Sequence, residues 1–381
     1  MERRERSFFG KVLVFLLTLL ALIGLVAMAL SVINAYIDPQ RFIWTTVFGL
    51  AFWLIFIYNV LIFFFLVLLW SKKAWISVLA LLIAIPGLGK SYSFGSKKEA
   101  NNSIRVMSYN VHHFCHIDGE MDKERFAYQM INWVREQNPD ILCCQEFKSF
   151  LPKTSHPKCI QIFAEGAGFS YVYYNRKRNY GGNVIFSKYP IEKVTENSGF
   201  GKEYVYGVMV SVDAGEKGKF HVANVHLLSN RITDDEIDVL MSSPERQSLD
   251  TIGKSLVQKL NYAFLKRSNE LKSVLDGMPP VDGPVIMCGD FNEPPLSYNY
   301  RQMQKAGFTD TFIKVGRGIK STYAGKLPLL RIDYIWANDG VTPLNFKRCR
   351  YKASDHYPII LDFSINSVNQ VVNINQTTNT L

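Results

Sequence analysis

Polar residues are sparse between positions 12 and 88 and frequent afterwards, so the chain changes character once. Residues 12–33 are apolar apart from Thr18 and Ser31, and residues 42–70 are equally apolar, with aromatics throughout and Trp70 at the end. A helix needs about 20 apolar residues to cross a bilayer core, so both runs are long enough. The second has length to tilt or to reach the interface. Residues 74–88 are shorter and end at Pro86-Gly87, which predicts a marginal span or a re-entrant or interfacial helix. Residues 1–89 are therefore expected to form a membrane anchor of two to three helices, at about 12–33, 42–70 and 74–88.

After a polar, Gly- and Ser-containing linker at 90–103, the pattern shortens. Strand-like runs recur at 104–111, 140–147, 182–190, 205–212, 220–228, 284–291, 330–337 and 357–365. Helical spacing lies between some of them. Phe126, Met130, Trp133 and Val134 share a face, Asp122 is a candidate N-cap, and Asn138-Pro139 is a stop. Residues 245–276 read as a long helix with one polar side. Clustered strands with interposed helices predict an α/β sandwich of two sheets over 104–366. The tail 367–381 is Asn/Thr-rich and expected to be disordered.

The net charge of +10 changes this picture little once it is divided. Residues 1–99 carry ten Lys/Arg and four Asp/Glu, which leaves only +4 for the rest. That balance is compatible with many partners and does not single out nucleic acid. The basic residues do bear on orientation. Arg3, Arg4, Arg6 and Lys11 place the N-terminus in the cytoplasm, and Lys72 and Lys73 place the second turn there. Three spans then put the region after residue 90 on the extracytoplasmic side of the membrane; if 74–88 does not cross, it stays inside. The length of the first run and the second run close behind it argue against a cleaved signal. Six cysteines, at 115, 143, 144, 159, 288 and 349, show neither a CxxC nor a zinc spacing. They read as buried small hydrophobes.

Chemistry-bearing residues gather at strand ends: Asn110 after "RVMSY", Glu146 after "ILCCQ", Asn224 and His226 in "FHVANVH", Asp290 and Asn292 in "VIMCGDFN", Asp333 in "RIDYIW", Asp355 and His356 in "SDHYP". Singly, each has a plainer reading. Asp290 serves as a turn residue, Glu146 as a solvated strand end, His226 as a hydrogen-bonded core histidine, Asp333 as a partner for Arg331, and Asp355-His356 as a strand cap. Together they are what a site on the rim of a sheet requires, because rigid strands hold the groups while loops admit substrate.

The ordered set "SYNV", "QE", "GNVIFSKYP", "NVHL", "GDFN", "RIDYI" and "SDHYP" resembles the endonuclease/exonuclease/phosphatase superfamily over about residues 104–366. That superfamily includes deoxyribonuclease-I-like nucleases, abasic endonucleases, sphingomyelinases and inositol polyphosphate phosphatases. The resemblance implies a four-layer α/β sandwich, with two mostly antiparallel sheets flanked by helices. It implies Mg²⁺, with Mn²⁺ as a substitute, held by Glu146, Asn110 and Asp355. Asp290 would activate water and Asn292 would orient it. His356, fixed by Asp333, and His226 would meet the phosphate or leaving group. Asn224, Asn183, Arg331 and Tyr323 would serve substrate binding. The chemistry is consistent on its own terms, since phosphate-ester cleavage needs charge neutralisation, an activated water and donors, and carboxylate oxygens suit Mg²⁺.

The expected activity is that of a membrane-anchored, Mg²⁺-dependent phosphoesterase of nuclease type. A lipid-headgroup phosphodiesterase or a phosphatase is the alternative within this class. A non-catalytic membrane interaction module on the same fold is the alternative outside it, and it predicts a lost member of the constellation, whereas every member is present. A channel is disfavoured because the spans hold no ionisable residue. The basic loop 175–183 and the segment 229–266 do not discriminate among substrates.

Overall fold

The computed structural model describes residues 7–99, 102–117, 119, 121–174, 182–194, 199–200, 206–230, 246–325, 329–351 and 353–366. The expectations for 175–181, 231–245 and 367–381 lie outside these residues. Two compact units result. One comprises Met1–Tyr92, Ser229–Asn269 and Glu293–Gln302; the other comprises Ser93–Leu228, Glu270–Asn292 and Met303–Leu381.

The second unit holds two main sheets. The first runs Val341–Arg348, Ile359–Ile365, Ile104–Asn110, Ile141–Gln145, Val184–Ser187, Tyr171–Tyr174. The second runs Thr309–Asp310, Asp333–Ala337, Val285–Asp290, Lys219–His226, Gly207–Asp213, Ile191–Lys193, with Gly199–Phe200 also on Gly207–Asp213. Ile104–Asn110 pairs in parallel with Ile141–Gln145, and Lys219–His226 with Val285–Asp290; the other pairs are antiparallel.

Alternation along the strands decides which side chains meet. Ile104, Val106, Ile141, Cys143 and Ile185 of the first sheet pack with Val208, Val210, Val222, Ile286, Cys288 and Ile335 of the second to form the inter-sheet core. The intervening Met107, Tyr109, Leu142, Cys144 and Phe186 face the other way, against the helices Lys123–Gln137 and His156–Ala167. The Lys123–Gln137 helix starts as its sequence indicates, with the Asp122 side chain accepting from Arg125 N–H, and ends at Asn138 in a left-handed conformation. The expected α/β sandwich of two mostly antiparallel sheets flanked by helices is the architecture seen.

The strand Val341–Arg348 was not among the sequence expectations. Pro343 interrupts its pattern, and the pairing shifts between Pro343 and Asn345. It lies at the sheet edge, where a missing N–H is tolerated.

The first unit is built on helices. Phe8–Tyr36 is long and apolar enough to cross a membrane, and there are up to three such spans if each bent pair is one. The run 42–70 is two helices meeting at 65°, and the run around 74–88 is two meeting at 42°. The helices expose Phe15, Ile23, Leu54, Leu61, Phe64 and Leu68 and bury Ala21, Met28, Ile62, Leu66 and Ala80.

Candidate active site

The inner face of each central strand turns polar at one edge of the sandwich. Ile104 and Val106 lead to Ser108 and Asn110. Ile141 and Cys143 lead to Gln145, Phe220 and Val222 to Asn224 and His226, and Ile286 and Cys288 to Asp290. Register then brings the ends together: Asn110 lies opposite Gln145, and Asp290 opposite both His226 and Asp333.

Two glycines make this edge possible. A Cβ on Gly289, at φ 148°, would overlap the carbonyl of Val225 on the neighbouring strand. A Cβ on Gly182, at φ 60°, would sit 2.8 Å from Glu146 Cα. Glu146 and Asn292 are themselves left-handed, at φ 55° and 53°, as are His112, His113 and Phe114. Non-glycine residues hold that conformation only where their surroundings enforce it, and they cluster at functional sites.

Asn110 Nδ2 lies between two carboxylates, donating to Glu146 Oε1 at 3.2 Å and Asp290 Oδ2 at 3.1 Å. His226 Nε2 is 3.5 Å from Glu146 Oε1 and 3.8 Å from Asp290 Oδ2. It is buried and has no hydrogen-bond partner among the described residues. Asn292 donates from its backbone N–H to Asp290 Oδ1 and from Nδ2 to Asp290 Oδ2, both at 2.9 Å. His356 Nδ1 lies 2.9 Å from Asp333 Oδ2, and His356 Nε2 lies 3.5 Å from Asp290 Oδ2. Thr322 Oγ1 accepts from Asp333 N–H, and the Ser354 hydroxyl accepts from His356 N–H while donating to the Asn110 carbonyl.

The environments push the acids apart. Burial alone raises Glu146, but His226, His113 and the Asn110 amide outweigh it and hold its carboxyl below the usual range. Burial dominates at Asp290 and lifts it to about 6; His356 and His226 oppose the rise and Asp333 adds to it. Burial lowers His356, yet the Asp333 and Asp290 carboxylates prevail and hold the imidazole well above the ordinary histidine value. One ionised acid beside one near neutrality is a familiar division of labour between ligand and base.

These contacts bring together Asn110, Glu146, His226, Asp290, Asn292, Asp333 and His356. Tyr323 reaches the same region, bridging His356 through the backbone with its ring edge-on at 6.0 Å. Asp355 lies against His112, with Oδ1 3.8 Å from Nδ1, and the same Oδ1 is 3.1 Å from Ser354 Oγ. Three other expected residues are placed differently. Asn224 is fully buried and pins the sheets together, donating to the Cys144 and Val184 carbonyls at 2.7 and 3.0 Å and accepting from Gln145 Nε2 at 2.7 Å. Arg331 is buried against Asp310, at 2.7 Å. Asn183 donates to the Tyr206 carbonyl at 3.3 Å.

His113 was not expected at the site. Its Nε2 is 3.2 Å from Glu146 Oε2, and burial lowers its pKa. The signal was a His-His pair two residues beyond Asn110.

The donor set fits a hard divalent cation. Glu146 offers an ionised carboxylate, and His226 Nε2 and the donor of Asn110 converge on the same oxygens, Glu146 Oε1 and Asp290 Oδ2. The Asn110 Oδ1 accepts from His112 N–H at 3.0 Å, so its amide must turn to act as a ligand. Asp290, Asp333 and His356 also place ligand atoms within 4.8 Å of one another. There the His356–Asp333 hydrogen bond favours an oriented imidazole over a metal ligand.

The profile of the Endonuclease/Exonuclease/phosphatase family matches residues 107–356, and one for a domain of unknown function matches residues 11–91. Among curated proteins the chain is similar to a DNA-(apurinic or apyrimidinic site) endonuclease of Dictyostelium discoideum, 23% identical over 219 residues, or 56% of this chain. The chain spans about half the length of that relative, 49%. Similar solved structures include an endonuclease/exonuclease/phosphatase from Beutenbergia cavernae DSM 12333, with TM-score 0.46, 17% identity, and 70% and 72% of the two chains covered. The human Nocturnin catalytic domain is another, with TM-score 0.47, 17% identity, and 70% and 96% covered.

Proposed function

The chain belongs to the Endonuclease/Exonuclease/phosphatase family, and from that premise we propose that it is a membrane-anchored, Mg²⁺-dependent phosphodiesterase of nuclease type. The observation that carries this reading is the pairing of a depressed Glu146 with a buried Asp290 near neutrality, hydrogen-bonded through one Asn110 amide.

Asp290 takes the proton of the attacking water, its pKa of about 6 suited to a base at neutral pH. Asn292 fixes both oxygens of that carboxylate. His356, oriented by Asp333, donates from Nε2 to a phosphoryl oxygen, and His226 Nε2 faces the phosphoryl or leaving-group oxygen. Glu146 and Asn110, with Asp355 nearby, would hold Mg²⁺, which supplies charge neutralisation when bound. His113 braces the Glu146 carboxylate from its other oxygen.

The substrate assignment draws on the Dictyostelium relative, named for cleavage of DNA at abasic sites. A lipid-headgroup phosphodiester is the second reading, favoured by the span-length apolar helix Phe8–Tyr36. The deciding experiment is a hydrolysis panel on the full chain in detergent with Mg²⁺. It comprises single- and double-stranded DNA, abasic DNA, RNA, sphingomyelin, glycerophospholipids and inositol phosphates, with Asp290→Ala as the blank. Nucleic-acid cleavage absent from the blank supports the first reading, and lipid cleavage alone the second. No hydrolysis of any ester would overturn the enzymatic assignment in favour of an interaction module.

A further inference from the structure

The chain leaves the site as Asn292-Glu293-Pro294-Pro295-Leu296, and Leu296 belongs to the helical unit. Its side chain is 2% exposed and packs with Met28, Phe52, Ala80 and Ala84. Its carbonyl accepts from the buried Asn34 Nδ2 at 2.7 Å. Two helix glycines clear the seat. A Cβ on Gly49 would come within 2.5 Å of the Leu296 carbonyl oxygen, and one on Gly87 within 3.0 Å of Leu296 Cδ1 and 2.6 Å of the Phe52 ring.

Polar contacts hold Glu293 and the helical unit around it. Glu293 pairs with the fully buried Arg267 at 3.0 Å and accepts from Asn299 Nδ2 at 3.1 Å. Arg301 lies over the Tyr36 ring at 3.7 Å, and Gln40 Nε2 donates to the Leu265 carbonyl and the Ser268 hydroxyl at 3.1 and 3.0 Å. An isolated apolar tether needs none of these contacts.

We propose that the helical unit is a positioning element of the active site, gripping Leu296 through Asn34 and its apolar seat and thereby holding Asn292 in place. The linkage is short and stiff. Only Glu293, Pro294 and Pro295 separate the two residues, and each proline fixes its own φ and restricts the residue before it. Asn292 is left-handed at φ 53°, a conformation asparagine tolerates, and here the chain is held on both sides of it. On one side it is bonded to Asp290. On the other, the Leu296 seat stops the chain from relaxing. With the grip lost, Asn292 relaxes and Asp290 loses the donors that orient it. The mechanistic part of this inference rests on the function proposed above; the grip itself does not.

The test uses the full chain in phosphatidylcholine vesicles, with a protease site inserted between Tyr92 and Ser93, so that Ser93–Phe94, which pairs with Arg317–Gly318, stays with the C-terminal fragment. After cleavage and washing, the C-terminal fragment should stay with the vesicles, and Leu296→Glu should release it. Release of the unsubstituted fragment, or equal retention of both, would overturn the grip. In uncut protein, Leu296→Ala and Asn34→Ala should lower kcat on bis(p-nitrophenyl) phosphate by about tenfold, with KM and the Mg²⁺ half-saturation unchanged. Leu296→Met should restore it, since the thioether fills the same seat. Full kcat in Leu296→Ala would overturn the positioning role. A wild-type chain inert on every phosphate ester would instead defeat the functional reading, while the retention assay still judges the grip.

Discussion

Replacing Asp290 by Asn should abolish turnover and yet stabilise the metal-free protein at alkaline pH. Asp290 is 1% exposed, and burial lifts its carboxyl from 3.8 to about 6. Between those values the folded protein keeps a proton that the unfolded chain has released, so stability falls as pH rises through the window. Below it the site is protonated in both states and carries no penalty. Above it the ionised carboxylate destabilises the fold by about 3 kcal/mol, from roughly two pKa units at about 1.4 kcal/mol each. Asparagine stays neutral and removes that penalty. It also surrenders one hydrogen bond. Asp290 accepts at Oδ1 from Asn292 N–H and at Oδ2 from Asn292 and Asn110 Nδ2, while an amide accepts at only one of those positions. That loss costs about 1 kcal/mol. Asp290→Asn should therefore be more stable than wild type by about 2 kcal/mol near pH 8 and less stable by about 1 kcal/mol near pH 3. Thermal melts of the full chain in detergent with EDTA, at both pH values, read the difference. An equal melting-temperature difference at the two pH values would refute the claim that a buried ionised carboxylate is responsible.

Mg²⁺ should raise the melting temperature of wild type, by the equivalent of about 2.7 kcal/mol at a hundredfold excess over Kd, and should raise that of Glu146→Gln far less. Equal rises would remove Glu146 from the ligand set. Asp333→Asn removes the carboxylate that does most to hold His356 protonated against its burial. The raised pKa keeps the imidazolium at neutral pH and loses it only as pH climbs through the folded value, so the variant should lose the proton at lower pH. Its alkaline limb of kcat should move down in pH and its kcat should fall by about 10²-fold, and an unmoved limb would separate Asp333 from His356. Asn224→Ala should lower stability by roughly 3 kcal/mol, since it removes three hydrogen bonds between the sheets, those to the Cys144 and Val184 carbonyls and the one from Gln145 Nε2, at about 1 kcal/mol each. Urea unfolding reads this loss, and a change within the error of the melt would mean that water replaces the amide.

The site was legible where periodicity carries it and obscure where depth or distance does. Alternation of two places Asn224 and His226 on one face of the same strand, which is correct, but it does not say how far each lies from the edge. Two residues inward, Asn224 lies between the sheets, while His226 Nε2 is turned toward Glu146 and Asp290. Arg331 and Asp333 share a face by the same rule, yet Arg331 precedes its strand and meets Asp310, a partner 21 residues away that no local pattern announces. His113 reads as loop from sequence because nothing there reveals that three successive left-handed residues fold it back onto Glu146. Leu296 is the sharpest case. Hydropathy averages a window, so one leucine within "NEPPLSYN" is lost among polar neighbours and counts with the catalytic region. Packing assigns it to the helices instead, because Gly49 and Gly87 leave a space that the methionine, phenylalanine and alanines around it do not fill. The two prolines before it show as stiffness in the sequence. What the stiffness connects emerges only when both of its ends, the left-handed Asn292 and the seated Leu296, are seen to be fixed.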